Sequence, residues 1–220
     1  AYDLVKGPVF WATSKDPETA HHMFVLACQA LHATHLDNLL LHTEDLALTN
    51  VEFSNAAGLN KNGEIPPQVL KYLGFDRVVV GTVTFDEWAG NPRPRMVRLP
   101  GTNSIINWMG HPAKKAEKVA ENLVSYGNHG VPLTVTISPT AGKKGDEAIR
   151  DLENTILIMR DVPYVDRLTL NISCPNTPNG EGGLDARADY SKNLGKMLQV
   201  LDSNAYRHQE IYVKLSPDLS

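Results

Sequence analysis

The sequence predicts an α/β fold built around a parallel sheet. Three observations point there. Short runs such as Arg77-Val78-Val79-Val80, Pro132 to Ile137 (PLTVTI) and Arg167 to Ile172 (RLTLNI) read as strands of the buried type. Helical patterns or long connections separate them, which is the arrangement that forces strands to pair in parallel. Polar residues then collect where the strands finish, the place where such folds build their sites.

In chain order, Pro8-Val9-Phe10-Trp11 is an apolar leader. Asp16-Pro17-Glu18 combines a capping side chain, a first-turn proline and an acid, so it starts a helix. Ala20, Phe24, Ala27 and Leu31 then recur at helical spacing, giving a helix over 17–33, and LDNLLL gives a shorter one over 36–41. Residues 51–56 read as a short strand, 66–72 as a helix ended by Gly74, and 77–80 as a strand stopped by Gly81. A stiff basic loop, Gly90 to Pro100, follows. A helix is expected over 113–126, a strand over 132–137, and a helix over 146–160 with Ile149, Leu152, Ile156 and Met159 in phase. A strand over 167–172, a helix over 190–201 and a strand over 211–215 complete the series. The first 48 residues hold five of the eight histidines and read as a helical extension, whereas 49–220 read as the α/β unit.

Composition narrows the function. The 220 residues are 42% hydrophobic, enough for one sizeable core. A net charge of −4 disfavours a general nucleic-acid binder. No apolar run approaches the roughly 18 residues of a spanning helix. The two cysteines, Cys28 and Cys174, make neither a disulfide framework nor a four-cysteine zinc site and fit a reducing compartment. The opening residues lack a secretion-signal pattern, so the expected location is cytoplasmic. His21-His22 and His32/His35 lack the completing ligands of a zinc set, so no metal is expected. Neither G-x-G-x-x-G nor a P-loop is present, which disfavours a Rossmann dinucleotide site and a nucleoside triphosphatase.

The octapeptide Asn171 to Pro178 (NISCPNTP) carries the strongest chemical signal. Its asparagines offer donor and acceptor together, suiting a ring with alternating N–H and C=O groups such as a pyrimidinedione. Cys174 between them reads either as a nucleophile or general base, or as an inert thiol in a proline-stiffened turn. Small residues and then a lysine run through Ala56-Ala57-Gly58-Leu59-Asn60-Lys61-Asn62-Gly63. They let a flat ring approach the backbone, and Lys61 is either a charge beside that ring or a solvated loop lysine. Lys214 lies in an apolar strand pattern, where an unpaired charge is costly, so an anionic ligand or an acidic partner is expected beside it. Asn107, in apolar context, needs a polar partner. The basic loop either meets an anionic ligand or pairs with acids.

Together AAGLNKNGE, GTVT, GNPRPRMVRL, INWMG, NISCPNTP and VKLSPDLS occur in an order and approximate spacing that resemble the dihydroorotate dehydrogenases, from about Asp16 to Ser220. The segment KDPETAHH is similar to the helical extension of the membrane-associated, quinone-dependent class. The resemblance implies a (β/α)8 TIM barrel that holds FMN at the C-terminal ends of its strands and oxidises (S)-dihydroorotate to orotate in pyrimidine synthesis. It places Ala57, Gly58, Lys61, Thr82, Thr136, Asn171 and Lys214 at the flavin. Lys61, Asn107, Met109, Gly110, His111, Asn171 and Asn176 fall at the substrate, and Cys174 at the catalytic base. A quinone acceptor, a peripheral membrane contact through residues 1–48 and no nucleic-acid partner are implied.

Four positions depart from the family pattern. Cys174 resembles the soluble class, since quinone-dependent members carry serine there. Thr136 stands where asparagine is usual, and His111-Pro112 where an aromatic-asparagine pair is usual. Only five of eight barrel strands are read, so the remaining strands are expected from a further segment or another chain. Two alternatives stand beside the dehydrogenase: a non-catalytic flavin- or pyrimidine-binding relative, and a flavoenzyme for another dihydropyrimidine.

Overall fold

The computed structural model describes residues 16–35, 51–102, 104–172 and 184–215. The first element, α1 (Pro17–Ala33), starts as its sequence predicts: the Asp16 carboxylate accepts from the Glu18 and Thr19 amides at 3.3 and 3.0 Å, and Pro17 fills the first turn. Its buried side chains are Pro17, Val25 and Cys28. The expected stripe does not pack: Phe24 and Ala27 are exposed. Two anchors set this rotation. Gln29 donates to the Glu64 carbonyl at 3.0 Å, and Glu18 pairs with Arg95 at 3.0 Å. The apolar side chains Met23, Phe24 and Leu26 are left outside. The expected 36–41 helix lies outside the described residues.

Strand β1 (Val78–Val83) follows a short helix, α2 (Pro67–Tyr72). The expected strand over 51–56 forms no ladder. Its place along β1 is taken by isolated parallel bridges, Ser54 with Arg77 and Asn60 with Val80. Between them the Asn55 side chain replaces a peptide group, donating to the Val79 carbonyl at 2.7 Å and accepting from the Val79 amide at 2.9 Å. An amide side chain carries the same donor and acceptor as the backbone, so the edge of β1 is satisfied without a regular strand.

The segment expected as a basic loop is half of a hairpin. Strands β2 (Met96–Leu99) and β3 (Ser104–Asn107) pair antiparallel, with Met96 opposite Asn107 and Leu99 opposite Ser104. Pro92 and Pro94 stiffen only its lead-in. Its apolar side chains lie outside rather than in a core: Val97, Leu99, Ile105 and Ile106 are exposed.

Then come α3 (Ala116–Ser125), β4 (Leu133–Ile137), α4 (Gly145–Met159), β5 (Val165–Asn171), α5 (Leu184–Asn204) and β6 (Glu210–Lys214). The sheet order is β1-β4-β5-β6, all parallel. One sheet face packs on the helices. Val78, Val80, Leu133, Val135, Leu168 and Leu170 meet Val119, Leu123, Leu152, Ile156, Met159 and Met197 in one buried cluster. Because side chains alternate along a strand, the other face carries Thr136, Arg167, Thr169, Asn171, Glu210, Tyr212 and Lys214. Register joins them across strands: Thr136 lies beside Thr169, Tyr212 beside Thr169, and Lys214 beside Asn171. This polar inner face runs from a charged N-terminal end to the site at the C-terminal end.

Candidate active site

The site begins where β1 ends. Gly81 has φ +116°, and a Cβ there would strike the Thr136 carbonyl oxygen, so only glycine lets β1 and β4 approach this closely. The loop over 56–61 is stitched to this point. The Gly58 amide donates to the Gly81 carbonyl at 3.0 Å, and the Gly81 amide donates to the Asn60 carbonyl at 3.2 Å. Asn60 turns inward and exchanges hydrogen bonds of 2.9 and 3.0 Å with the backbone of Ile65. Buried Asn60 thereby fixes the next residue, half-buried Lys61, at the mouth of the sheet. At Gly58, φ is +102° and a Cβ would find only the Lys61 side chain, at 3.6 Å, so the space above this backbone is open. Ala57 beside it is exposed.

The substrate stretch is delivered by the hairpin. Past Asn107, exposed at the end of β3, the Trp108 amide donates to the Arg95 carbonyl at 2.9 Å. The Asn91 amide donates to the Met109 carbonyl at 2.9 Å, and the Asn91 side chain donates to the Trp108 carbonyl at 2.6 Å. The Trp88 indole donates to the Gly110 carbonyl at 2.9 Å. Held this way, Met109 presents its Sδ to Lys61 Nζ at 3.0 Å. His111 follows at φ +59°, half-buried. Burial, then Lys61, then Lys214 push its pKa down to about 4.

The last strands supply the amide and the second lysine. Asn171 ends β5 and donates from Nδ2 to Thr82 Oγ1 at 2.9 Å, tying the ends of β5 and β1 across the inner face. Lys214 ends β6 beside it. Thr136 is buried on β4.

Of the residues named from the sequence, the structure puts Lys61 against Met109, Asn171 against Thr82 and Lys214 beside Asn171, with the charges of Lys61 and Lys214 both felt at His111. Cys174 and Asn176 lie outside the described residues.

Several residues that hold this region had no partner assigned from the sequence. Arg95 is buried and donates to Glu18, to the Ala89 carbonyl at 2.6 Å and to the Asn91 carbonyl at 3.1 Å. Arg93 also pairs with Glu18, at 3.1 Å. The basic loop therefore serves the second of its two expected roles, pairing with an acid. Lys143 bridges Asp86, at 2.5 Å, and Asp151, while Thr140 donates to Asp151, so the loops after β1 and β4 are joined. The Pro100-Gly101 turn pair between residues 96–99 and 104–107 was the available signal for the hairpin. The Glu18–Arg95 pair spans 77 residues and had none.

Comparison with known proteins identifies the family. The family description "Dihydroorotate dehydrogenase" matches residues 41–220. A relative described as dihydroorotate dehydrogenase (quinone), from Bordetella parapertussis, is 35% identical over all of this chain and 64% of its own length. One of the same description from Novosphingobium aromaticivorans is 34% identical over 99% of this chain and 61% of its own. The chain thus spans a little over three fifths of these relatives. A crystal structure of DHODH from Eimeria tenella in complex with ferulenol superposes with a TM-score of 0.69 at 24% identity, over 93% of this chain and 61% of that one. That likeness supports the fold: the sheet β1-β4-β5-β6 is part of an α/β barrel of the TIM type. With its family match running over residues 41–220, the chain belongs to the dihydroorotate dehydrogenase family.

Proposed function

We propose that the whole protein oxidises (S)-dihydroorotate to orotate, with FMN as cofactor and a quinone as electron acceptor. The observation that supports this reading is the cluster at the C-terminal strand ends: Lys61 against Met109, Asn171 bonded to Thr82, and Lys214 beside Asn171. Both lysines suit the carboxylate and ring oxygens of the substrate and negative charge on a reduced flavin. The residues present fit FMN on the structure's own terms: the backbone at Gly58 is open to a flat ring, and hydroxyl and amide donors edge the same space. Ala57, Gly58, Lys61, Thr82, Thr136, Asn171 and Lys214 would hold it. When bound, FMN supplies a two-electron acceptor for hydride from substrate C6.

The chain's own residues do the rest. Lys61 and Asn171, with Asn107 and Asn176, fix the edge of the dihydropyrimidine. The Met109-Gly110 backbone, clamped by Asn91 and Trp88, holds Met109 against Lys61. The Cys174 thiolate removes the proton from C5, alpha to the ring carbonyl, as hydride leaves C6. Such a base contributes about 10²–10⁴-fold.

The quinone reading gains support from α1 and the hairpin. α1 packs against β2, and Glu18 ties the two together. Met23, Phe24 and Leu26 on α1 and Val97, Leu99, Ile105 and Ile106 on the hairpin are all exposed. An apolar surface of this kind suits a hydrophobic acceptor and a peripheral contact with the inner membrane of an otherwise cytoplasmic protein. Among the described residues no helix is long and apolar enough to cross a membrane. We assign residues 1–48 to this extension and 49–220 to the barrel. The further strands come from additional sequence of a longer chain, in line with the coverage of the relatives and the exposed Tyr212 and Leu215 at β6.

The test is a single-turnover reduction of the flavin-loaded protein by dihydroorotate without oxygen. Cys174→Ala is expected to slow it by about 10²–10⁴-fold, and Cys174→Ser to retain part of the rate with a shifted pH optimum. Unchanged reduction in the alanine variant would remove Cys174 from the base role.

A further inference from the structure

Helix α1 is held at two points, and each leads to a different half of the site. Near its start Glu18 and Arg95 form a two-pronged pair, Nε on Oε1 and Nη2 on Oε2 at 3.0 Å each, with both side chains buried. Further along, Gln29 donates to the Glu64 carbonyl at 3.0 Å, which also accepts from the Tyr126 hydroxyl at 2.9 Å. From each hold a short run of hydrogen bonds reaches the same contact. On the Glu18 side, Arg95 Nη1 donates to the Ala89 and Asn91 carbonyls at 2.6 and 3.1 Å, and the Arg95 carbonyl accepts from the Trp108 amide at 2.9 Å. Asn91 then holds the Met109 carbonyl with its amide and the Trp108 carbonyl with its side chain. A Cβ at Gly110 would meet that side chain at 2.7 Å, so the 89–91 loop and the substrate stretch are pressed together. On the Gln29 side, Glu64 lies between Asn62, which donates to its carboxylate at 3.2 Å, and Ile65, which exchanges two hydrogen bonds with Asn60. Lys61 stands between those two asparagines. The runs meet where Lys61 Nζ lies 3.0 Å from Met109 Sδ.

We infer that α1 braces the site and that Glu18 is a positioning residue: through Arg95 and Asn91 it fixes where Met109, and with it the substrate stretch, stands against Lys61. This rests on the reading of these strand ends as the dihydroorotate and orotate site. The physical reason lies in the guanidinium, a rigid fork of five donors. Glu18 takes one edge of the fork, which leaves Nη1 aimed at the two loop carbonyls. Without the carboxylate the buried cation loses its charge partner and turns toward other acceptors, and the loop loses its anchor. Arg93 also reaches Glu18, at 3.1 Å, but from an exposed side chain that adds little. Gln29 performs the matching task for the loop that carries Lys61. Because one helix ties both loops, the seating of α1 and the affinity for substrate are linked: displacing the helix loosens the substrate, and bound substrate helps to seat the helix.

The probe is orotate, titrated calorimetrically into the full-length, FMN-loaded protein. Glu18→Gln keeps the size of the side chain and removes its charge. It is expected to weaken orotate roughly three- to tenfold while FMN stays bound. Met109→Ala should weaken orotate by a comparable factor, and the double variant no further than Met109→Ala alone, because both act through one contact. Two losses that multiply would reduce Glu18 to a structural residue and overturn the proposal, as would wild-type affinity in a folded Glu18→Gln protein. Gln29→Ala cuts the brace at its other end and should give a smaller loss that Met109→Ala likewise absorbs; it carries the test if Glu18→Gln does not fold. Arg77→Ala, which loosens the opposite end of the sheet, should leave orotate affinity unchanged, and a matching loss there would trace the effect to general stability and overturn the proposal. Failure of orotate to bind the wild type at all would instead overturn the functional reading beneath it.

Discussion

The two ends of the same parallel sheet handle charge in opposite ways. At the N-terminal ends of β1, β5 and β6, opposite charges interleave. Buried Arg77 pairs with Glu52 at 2.9 Å and with Asp166, and Arg167 reaches Glu52 at 3.1 Å and Glu210 at 2.9 Å. The Arg167 guanidinium also covers the Tyr212 ring, 4.8 Å from its centroid. At the C-terminal ends, like charges converge instead: Lys61 and Lys214 both bear on His111. Interleaved charges lower the energy of the fold itself. Converging ones are the kind of arrangement that an anion would relieve, which suits the proposed site at that end of the barrel.

Breaking each end separately sharpens the contrast. Lys61→Ala is expected to cost the most in function, slowing single-turnover flavin reduction by about 10²–10³-fold, because a charge aimed at the reacting ring is lost. Its thermal unfolding midpoint should hold or rise, since a like charge has been relieved. Arg77→Ala should do the reverse. It strands Asp166, leaves Glu52 to Arg167 alone, and lowers stability by about 2–3 kcal/mol in denaturant titration, less than a fully buried pair because both carboxylates are partly exposed. Flavin reduction per folded molecule should stay unchanged. A functional defect in the Arg77 variant, or a large stability defect in the Lys61 variant, contradicts the division.

A smaller effect follows from pH. Burial is the first cause holding His21, His111 and His129 below the ordinary imidazole value. In the unfolded chain they protonate near 6.5, so between there and about 4 the unfolded state binds more protons than the native one. Stability is therefore fully present above pH 6.5 and declines as pH falls toward 4. Melting midpoints taken across this range should drop toward acid, and the drop should be shallower in His111→Asn. A midpoint that rises toward acid contradicts the assignment.

Much of this was legible in the sequence, for reasons that differ by region. Strands β1, β4, β5 and β6 and the helices between them follow from hydrophobic runs and helical spacing, because one sheet face and one stripe of each helix share a core. Lys214 stood out as a charge in an apolar strand pattern. The hairpin did not, because its outward side chains are the apolar ones: Val97, Leu99 and Ile106 break the rule that a strand buries its hydrophobic positions. The strand expected over 51–56 was not there because Asn55 performs its pairing with a side chain, which periodicity does not register. The outward turn of Phe24 depends on Glu18–Arg95 and Gln29–Glu64, contacts between residues far apart in sequence. His111 was reachable only through its motif, and its setting between two lysines needed the three elements brought together.

The most direct measurement mixes the intact protein, loaded with FMN, with dihydroorotate in the absence of oxygen and follows the flavin absorbance. Stoichiometric bleaching, then return of colour on adding a quinone, is the predicted result. An intact, folded protein that carries flavin yet leaves it oxidised in the presence of dihydroorotate would contradict the claim that these strand ends clasp the substrate against the cofactor.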